Sequence, residues 1–136
     1  MGTCIMIVDD DIDDIDIFID AAREVEPTAE YISAQNGLDA INFINAADTQ
    51  PEYIFVDLNM PKLNGKQFIR EIRKNPLFSN TKIIVYSTSR MDGDEEEVKF
   101  LGADEFIAKP TSLDELRSEI ARVLSKEYYG GGVAPA

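Results

Sequence analysis

Short apolar runs alternate along the chain with longer segments in which apolar residues recur every three or four positions. The first run covers residues 4–8, and the helical spacing that follows it extends over about 11–25. Strand and helix patterns in alternation are typical of βαβ units, which build a parallel sheet covered by helices on both faces. The pattern therefore predicts an α/β fold with five strands and five helices. The predicted strands are residues 4–8, 31–34, 53–56, 82–86 and 105–108.

The helical spacing also indicates which side of each helix faces the sheet. The fourth helix, predicted over 94–101, offers only Val98 and Leu101, so we expect it to be held loosely. Gly102 is expected to end that helix. The outer face of the third helix is mostly basic and includes Arg73. The residues expected to face the core of the other helices are Ile12, Ile15, Phe18, Ile19 and Ala22, then Leu38, Ile41 and Ile44, then Phe68, Ile69 and Ile72, and finally Leu113, Leu116, Ile120, Val123 and Leu124.

Length and charge limit the functions that the chain can have. At 136 residues it fits one domain, which we assign to residues 1–126; residues 127–136, with three consecutive glycines and no apolar period, are expected to form a disordered tail. Thirteen basic and 26 acidic residues give a net charge of -13, which repels both nucleic acid and anionic membrane surfaces. Without a basic or long apolar leader, the protein is expected to be cytoplasmic.

Four of the five predicted strands end on residues suited to phosphoryl chemistry. Asp9 and Asp10 follow the first strand, Asp57 the third, Ser87 the fourth and Lys109 the fifth. The carboxyl ends of parallel strands meet at one edge of a sheet, where open α/β folds bind their ligands. We therefore expect these five side chains to lie close together.

The three carboxylates at this edge need a positive partner. Two unit charges about 4 Å apart repel by roughly 4 kcal/mol at an effective dielectric constant near 20, so three of them favour a bound cation. Carboxylate oxygens suit Mg²⁺, whereas a chain with no histidine and one cysteine lacks the ligands of a zinc site. An EF-hand loop is excluded, because Asp14 stands where that loop needs glycine. The remaining aspartates of the first helix are expected to form a solvated acidic face: Asp13, Asp14, Asp16 and Asp20.

Asp57 is the carboxylate best suited to covalent chemistry. A carboxylate can form an acyl phosphate, and the alternative is a loop aspartate that caps the following turn. Lys109 would place a positive charge, and Ser87 a hydroxyl donor, beside the phosphoryl oxygens. Taken singly, a lysine before proline is more often an exposed turn, and a serine at a strand end more often a helix cap. The residue types alone leave these roles open.

Four motifs occur in order, each at the end of a predicted strand: Asp9-Asp10, Asp57-Leu58-Asn59-Met60-Pro61 with Gly65, Ser87-Thr88 and Lys109-Pro110. On these motifs the chain, from residue 3 to about residue 126, resembles a response regulator receiver domain of the stand-alone, chemotaxis-response-regulator kind. The resemblance implies a flavodoxin-like, doubly wound (βα)5 fold with strand order 2-1-3-4-5. It also implies two-component signalling, in which Asp57 accepts a phosphoryl group from a histidine kinase or a phosphotransfer protein.

The resemblance also implies how the metal is held. Asp10, Asp57 and the backbone carbonyl of Asn59 would bind Mg²⁺, and Asp9 would act mainly through water. The chain would catalyse only its own phosphorylation and dephosphorylation, so it is expected to be a signalling phosphoprotein rather than an enzyme with a separate substrate.

By the same likeness, Ser87 and Lys109 bind the phosphoryl oxygens, and the Lys109–Pro110 peptide bond is cis. Ser87 would move toward the phosphoryl group while Phe106 turns inward, which reshapes the surface made by the fourth helix, the fifth strand and the fifth helix. The two positions that tune the lifetime of the acyl phosphate in this family are Asn59 and Ser89.

Other functions fit the sequence less well. A pseudo-receiver, folded alike and never phosphorylated, would be a protein-interaction module, but the set of acceptor, metal ligands, lysine and hydroxyl is complete. A haloacid-dehalogenase-like phosphatase needs a second aspartate where this chain has Asn59, and a flavodoxin's phosphate would be repelled by the carboxylates of residues 9–11. With no effector domain after the fifth helix, the expected output is an unidentified partner protein, a phosphotransfer step or a homodimer.

Overall fold

All five predicted apolar runs form strands of one parallel sheet in the computed structural model, which describes residues 3–46, 50–88 and 93–126. The strands lie in the order β2-β1-β3-β4-β5. Both the predicted α/β class and the strand order 2-1-3-4-5 are therefore confirmed. The elements in chain order are β1 Cys4–Val8, α1 Ile12–Val25, β2 Glu30–Ala34, α2 Gly37–Ala46, β3 Tyr53–Val56, α3 Gly65–Arg73, a 3₁₀ turn Pro76–Phe78, β4 Lys82–Ser87, α4 Asp94–Leu101, β5 Glu105–Ala108 and α5 Leu113–Ser125.

Each face of the sheet carries its own apolar core. On the α1/α5 face, Phe18 packs between Phe55 and Tyr86, with ring centroids 4.7 and 5.5 Å away. Such aromatic pairs add about 0.5–1.5 kcal/mol to the free energy of burial. On the α2/α3/α4 face, the core contains Phe68 from α3 and Phe106 from β5. Burial on both faces explains why the strands are nearly continuous runs of apolar residues.

Side chains at the helix starts fix where the helices begin. The Asp11 carboxylate accepts hydrogen bonds from the backbone N–H groups of Asp13 and Asp14, and thus caps α1. The predicted cap of α5 is also present, because the Ser112 hydroxyl accepts a hydrogen bond from the backbone N–H of Glu115. Such caps are typically worth about 1 kcal/mol each. They set the direction in which α1 and α5 leave the sheet edge.

Three residues that were expected in the core are exposed. Ile12, Leu38 and Leu113 are 54%, 47% and 54% exposed. Each is the first or second residue of its helix, at the carboxyl edge of the sheet, where no strand lies opposite to cover it. Periodicity identifies the side of a helix that faces inward, but it does not show how far the sheet extends beneath the helix.

Helix α4 is attached to the protein mainly through α3. Only Val98 of α4 is a fully buried apolar residue, and Leu101 is partly buried, which agrees with the thin apolar stripe. Lys66 of α3 forms ion pairs with Asp94 and Glu97, at 2.9 and 2.7 Å, and so holds the first turn of α4. Few apolar contacts and two charged ones therefore secure this end of the helix.

Arg73 of α3 holds the other end of α4, so its assignment to a basic outer face was wrong. Its guanidinium donates hydrogen bonds to the carbonyl oxygens of Gly102 and Phe78, both at 2.8 Å, and to the Asp104 carboxylate at 3.0 Å. Burial lowers the pKa of Arg73, and the charge of Asp104 opposes this shift. Gly102 ends α4 as predicted, with φ +119°, and a Cβ there would lie 2.5 Å from Cγ of Arg73.

Two predictions concern residues outside the described ranges. The disordered tail at 127–136 lies there, and so does Ser89, so both stay predictions. Within residues 3–46, 50–88 and 93–126, none of the helices combines the length and the apolar character that a membrane span requires.

Candidate functional site

Backbone pairing brings the predicted site residues to one edge of the sheet. The hydrogen-bond ladder continues just past the strands: the N–H of Asp9 donates to the carbonyl of Ala34, and that of Asp57 donates to the carbonyl of Val8. The N–H of Lys109 donates in turn to the carbonyl of Ser87, at 3.0 Å. Residues held by ladder bonds have fixed Cα positions. The side chains at this edge therefore converge because of the strand register.

Three carboxylates meet at this edge. Asp9, Asp10 and Asp57 each offer one oxygen, and these oxygens all lie within 4.8 Å of one another. Asp9 and Asp57 are buried, while Asp10 is exposed. Hard oxygen donors at this spacing suit Mg²⁺, which binds few protein ligands and keeps several waters. The donor set therefore fits a divalent cation that is reached from solvent on the Asp10 side.

Lys109 supplies positive charge to the cluster. Its Nζ lies 2.5 Å from Oδ2 of Asp9, 2.9 Å from Oδ2 of Asp14 and 3.5 Å from Oδ2 of Asp57. Burial alone would lower the pKa of Lys109, but the hydrogen bonds to Asp9 and Asp14 and the charge of Asp57 together raise it. The amine is therefore held as an ammonium ion.

The pKa of Asp9, which lies in the same contact, is also raised, but for a different reason. Burial raises the pKa of its carboxyl group, although the hydrogen bond from Lys109 acts to lower it. The Asp9 carboxylate also accepts a hydrogen bond from the backbone N–H of Asp11, at 3.0 Å. Asp9 is thus a buried carboxylate whose ionised form depends on positive charge beside it.

The two oxygens of Asp57 have different neighbours. Oδ1 accepts hydrogen bonds from the Ser87 hydroxyl at 2.8 Å and from the Asn59 N–H at 3.3 Å, whereas Oδ2 faces Lys109. Gly65 allows α3 to start directly against this loop, because a Cβ there would lie 2.4 Å from the carbonyl oxygen of Asp57. Asp57 is therefore fixed between a hydroxyl donor and an ammonium ion.

An aromatic ring lies beneath Lys109. Nζ of Lys109 is 5.4 Å from the ring centroid of Tyr86, a geometry that favours the charged amine. Burial raises the pKa of Tyr86 to about 12, so the ring stays neutral. Tyr86 also packs against Phe18, which links the position of Lys109 to the core of the α1/α5 face.

The predicted environment of Asp14 was wrong. It was expected on a solvated face, yet it forms an ion pair with Lys109 at 2.9 Å. No local signal distinguished Asp14 from the other aspartates of α1, because its partner lies 95 residues further along the chain.

Two other expectations at this edge have different outcomes. The Lys109–Pro110 peptide bond is trans, so the predicted cis bond was wrong; before proline the trans form is favoured by about 0.5–1 kcal/mol. Phe106 is already buried, in the same core as Val85 and Val98. Its role as a switch stays a prediction.

Comparison with known proteins identifies the family of the chain. The family model described as the response regulator receiver domain matches residues 5–121. Protein PilG of Pseudomonas aeruginosa is 34% identical over 109 residues, which is 75% of this chain and 81% of PilG. Some other relatives are longer proteins, of which the chain matches as little as 12%.

Solved structures agree with the sequence relatives. The phosphorylated cyanobacterial phytochrome response regulator RcpA superposes with a TM-score of 0.82 at 24% identity, over 90% of this chain and 91% of RcpA. The Mn²⁺-bound form of response regulator Rcp1 superposes with a TM-score of 0.75 at 25% identity, over 99% of this chain and 100% of Rcp1. The family match over most of the chain, together with a fold shared with these regulators, shows that the chain belongs to the response regulator receiver domains of two-component signalling.

Proposed function

We propose that this receiver domain accepts a phosphoryl group on Asp57, with Mg²⁺ bound, from a histidine kinase or a phosphotransfer protein. The observation that carries the proposal is the setting of Asp57: one oxygen accepts the Ser87 hydrogen bond, and the other faces the Lys109 ammonium at 3.5 Å. Asp9 and Asp10 lie beside it with oxygens positioned for a cation. The alternative of a pseudo-receiver is not favoured, because no element of this set is missing.

The transfer step uses the chain's own groups. A carboxylate oxygen of Asp57 attacks the phosphorus of a phosphohistidine; the new O–P bond forms as the P–N bond breaks, and the imidazole nitrogen keeps the electron pair and takes up a proton. The Lys109 ammonium and the Ser87 hydroxyl stabilise the charge that develops on the phosphoryl oxygens. Attack of water on the acyl phosphate then restores the carboxylate and releases inorganic phosphate.

The residues that would hold the metal are Asp10, Asp57 and the backbone carbonyl of Asn59, with Asp9 acting through water. Bound there, Mg²⁺ would supply positive charge to the phosphoryl oxygens. Rcp1 was solved with Mn²⁺ bound, and that relative supports a divalent cation here. Asn59, whose N–H reaches Asp57, and Ser89 are proposed to tune the lifetime of the acyl phosphate.

The proposed signalling output depends on a hydrogen bond that Ser87 must break. Its hydroxyl donates to Asp57 in this structure, and to bind a phosphoryl oxygen it has to give up that hydrogen bond. We propose that this movement, together with Phe106 in β5, shifts the population of two arrangements of the surface formed by α4, β5 and α5. That surface would then bind an output protein or a second copy of the chain.

Intact-mass analysis tests the acceptor. After incubation with acetyl phosphate and Mg²⁺, the protein is expected to gain the mass of one phosphoryl group, because Asp57 displaces acetate from phosphorus. Asp57→Asn should abolish the gain, and so should removal of the metal by a chelator. Asp20→Asn, which removes one exposed aspartate from α1, is the matched control and should label normally.

The outcomes separate the two functions. Labelling that persists in Asp57→Asn would overturn the acceptor assignment, and labelling that persists without metal would overturn the role of Mg²⁺. A wild-type protein that gains no mass from acetyl phosphate, and none from a phosphorylated phosphotransfer protein, would favour the pseudo-receiver instead.

A further inference from the structure

The ammonium of Lys109 is shared among three carboxylates, and one of them has no part in the site proposed above. Asp9 and Asp57 are site residues, but Asp14 comes from the first turn of α1 and lies 2.9 Å from Nζ. We propose that Asp14 is a positioning residue: it holds Lys109 in the unphosphorylated protein, and thereby slows phosphorylation of Asp57. This inference rests on the proposed function.

The contact between Lys109 and Asp14 matters because the ammonium group has a limited number of hydrogen-bond donors. An ammonium group has three N–H donors, and two of them are used in hydrogen bonds to Asp9 and Asp14, at 2.5 and 2.9 Å. Asp57 lies farther away, at an ion-pair distance of 3.5 Å. A phosphoryl oxygen on Asp57 that binds Lys109 closely must compete with Asp9 and Asp14 for the ammonium ion.

Asp14 is the partner best able to leave. Its side chain is 35% exposed, whereas that of Asp9 is 1% exposed and that of Asp57 is 9% exposed. A carboxylate at the surface regains water when its ion pair breaks, so its release costs little free energy. A buried carboxylate left without its partner is much more costly. The geometry thus assigns the exchange to Asp14.

The charge of Asp14 acts in the same direction as its hydrogen bond. Four carboxylates, those of Asp9, Asp10, Asp14 and Asp57, stand against the one ammonium of Lys109, a formal charge of 1 − 4 = −3 on these five groups. An incoming phosphodonor is also an anion, so each nearby carboxylate that is not needed for the chemistry repels it. Removal of the Asp14 charge should therefore favour both the approach and the binding of the phosphoryl group.

The test compares isosteric neutral variants. Asp14→Asn is expected to raise the rate of labelling by acetyl phosphate about fivefold, the factor that corresponds to an ion pair of a partly exposed carboxylate. Asp13→Asn is the matched control: it removes one charge from the same turn at an exposed residue and should leave the rate within about twofold. Asp14→Glu, which keeps the charge, should remain closer to the wild-type rate than Asp14→Asn does.

A second readout excludes a merely structural effect. Beryllium trifluoride anion, a noncovalent analogue of the phosphoryl group, should bind Asp14→Asn about fivefold more tightly than it binds Asp13→Asn, with Mg²⁺ present in both cases. Equal rates and equal affinities in the two variants, or slower labelling of Asp14→Asn, would overturn the inference. If the wild-type protein fails to label at Asp57, the proposed function fails first, and the beryllium fluoride comparison then still reports on Asp14.

Discussion

Helix α4 is held differently from α1 and α5, which lie on the opposite face of the sheet. Helices α1 and α5 bury apolar side chains on nearly every inward turn, and Phe18 at their centre is fully buried between Phe55 and Tyr86. Helix α4, on the other face, buries Val98 and part of Leu101, and is also held by the ion pairs of Lys66 and the hydrogen bond from Arg73 to Gly102. Apolar burial thus secures one face of the sheet, and charged contacts secure α4 on the other.

This difference matters for the proposed shift between two arrangements of the output surface. Apolar packing is dense and has few alternative arrangements, whereas a charged side chain at the surface can exchange a protein partner for water at small cost. Lys109 is positioned by the α1/α5 face, because its Nζ lies over the ring of Tyr86. The site is therefore supported by the densely packed face, while α4, one part of the proposed output surface, is held partly by contacts that can exchange with water.

The largest expected loss of stability comes from a substitution on the α1/α5 face. Phe18→Ala should lower the free energy of unfolding by about 3–5 kcal/mol, because it leaves a cavity among buried rings. Phe100→Ala is the matched control on α4, where the ring is 89% exposed, and should change it by less than about 0.5 kcal/mol. Urea denaturation measures both. Equal losses in the two variants would contradict the comparison.

Arg73→Met should have an intermediate effect. The substitution keeps an apolar stem but leaves the carbonyl oxygens of Gly102 and Phe78 without the guanidinium, which should cost about 2 kcal/mol. Arg70→Met, at an exposed position on the same helix, is the control. Hydrogen exchange should quicken in α4 and at Asp104, and not in α1. Faster exchange in α1 to the same degree would mean that Arg73 stabilises the whole fold rather than α4.

Lys66→Met should have the smallest effect. Its two ion pairs lie near the surface, so their loss should cost about 0.5–1 kcal/mol and show mainly as faster hydrogen exchange in the first turn of α4. High salt should produce the same change in the wild-type protein and little further change in the variant. Lys74→Met, which breaks an exposed pair with Glu71 within α3, is the control. If hydrogen exchange in α4 changes neither with salt nor in Lys66→Met, the ion pairs do not stabilise this helix.

Much of the fold could be predicted because its signals are local. The bounds of β3, α4 and β5 follow from runs of apolar residues and from Gly102, all of which lie within the element or next to it. The convergence of Asp9, Asp57, Ser87 and Lys109 follows from parallel strands, a rule of topology rather than of distance. These predictions needed no knowledge of how the helices cross.

Two of the wrong predictions depended on distant parts of the chain. Asp14 and Arg73 were assigned to solvated faces, since each lies on the polar side of an amphipathic helix. Their partners, Lys109 and Gly102, lie 95 and 29 residues further along the chain. Helix periodicity separates inward from outward positions, but it cannot show that another element will cover part of the polar side.

The site residues are far apart in the sequence, and this distance determines when the site can form during synthesis. Lys109 lies 100 residues after Asp9, and the strand that carries it forms the edge of the sheet beside β4. A nascent chain that has left the ribosome only as far as α4 contains every carboxylate of the cluster without its ammonium ion. Contacts between such distant residues form slowly, and synthesis proceeds from the N-terminus. The cluster therefore gains its ammonium ion only after β5, the last strand of the described residues, has been made.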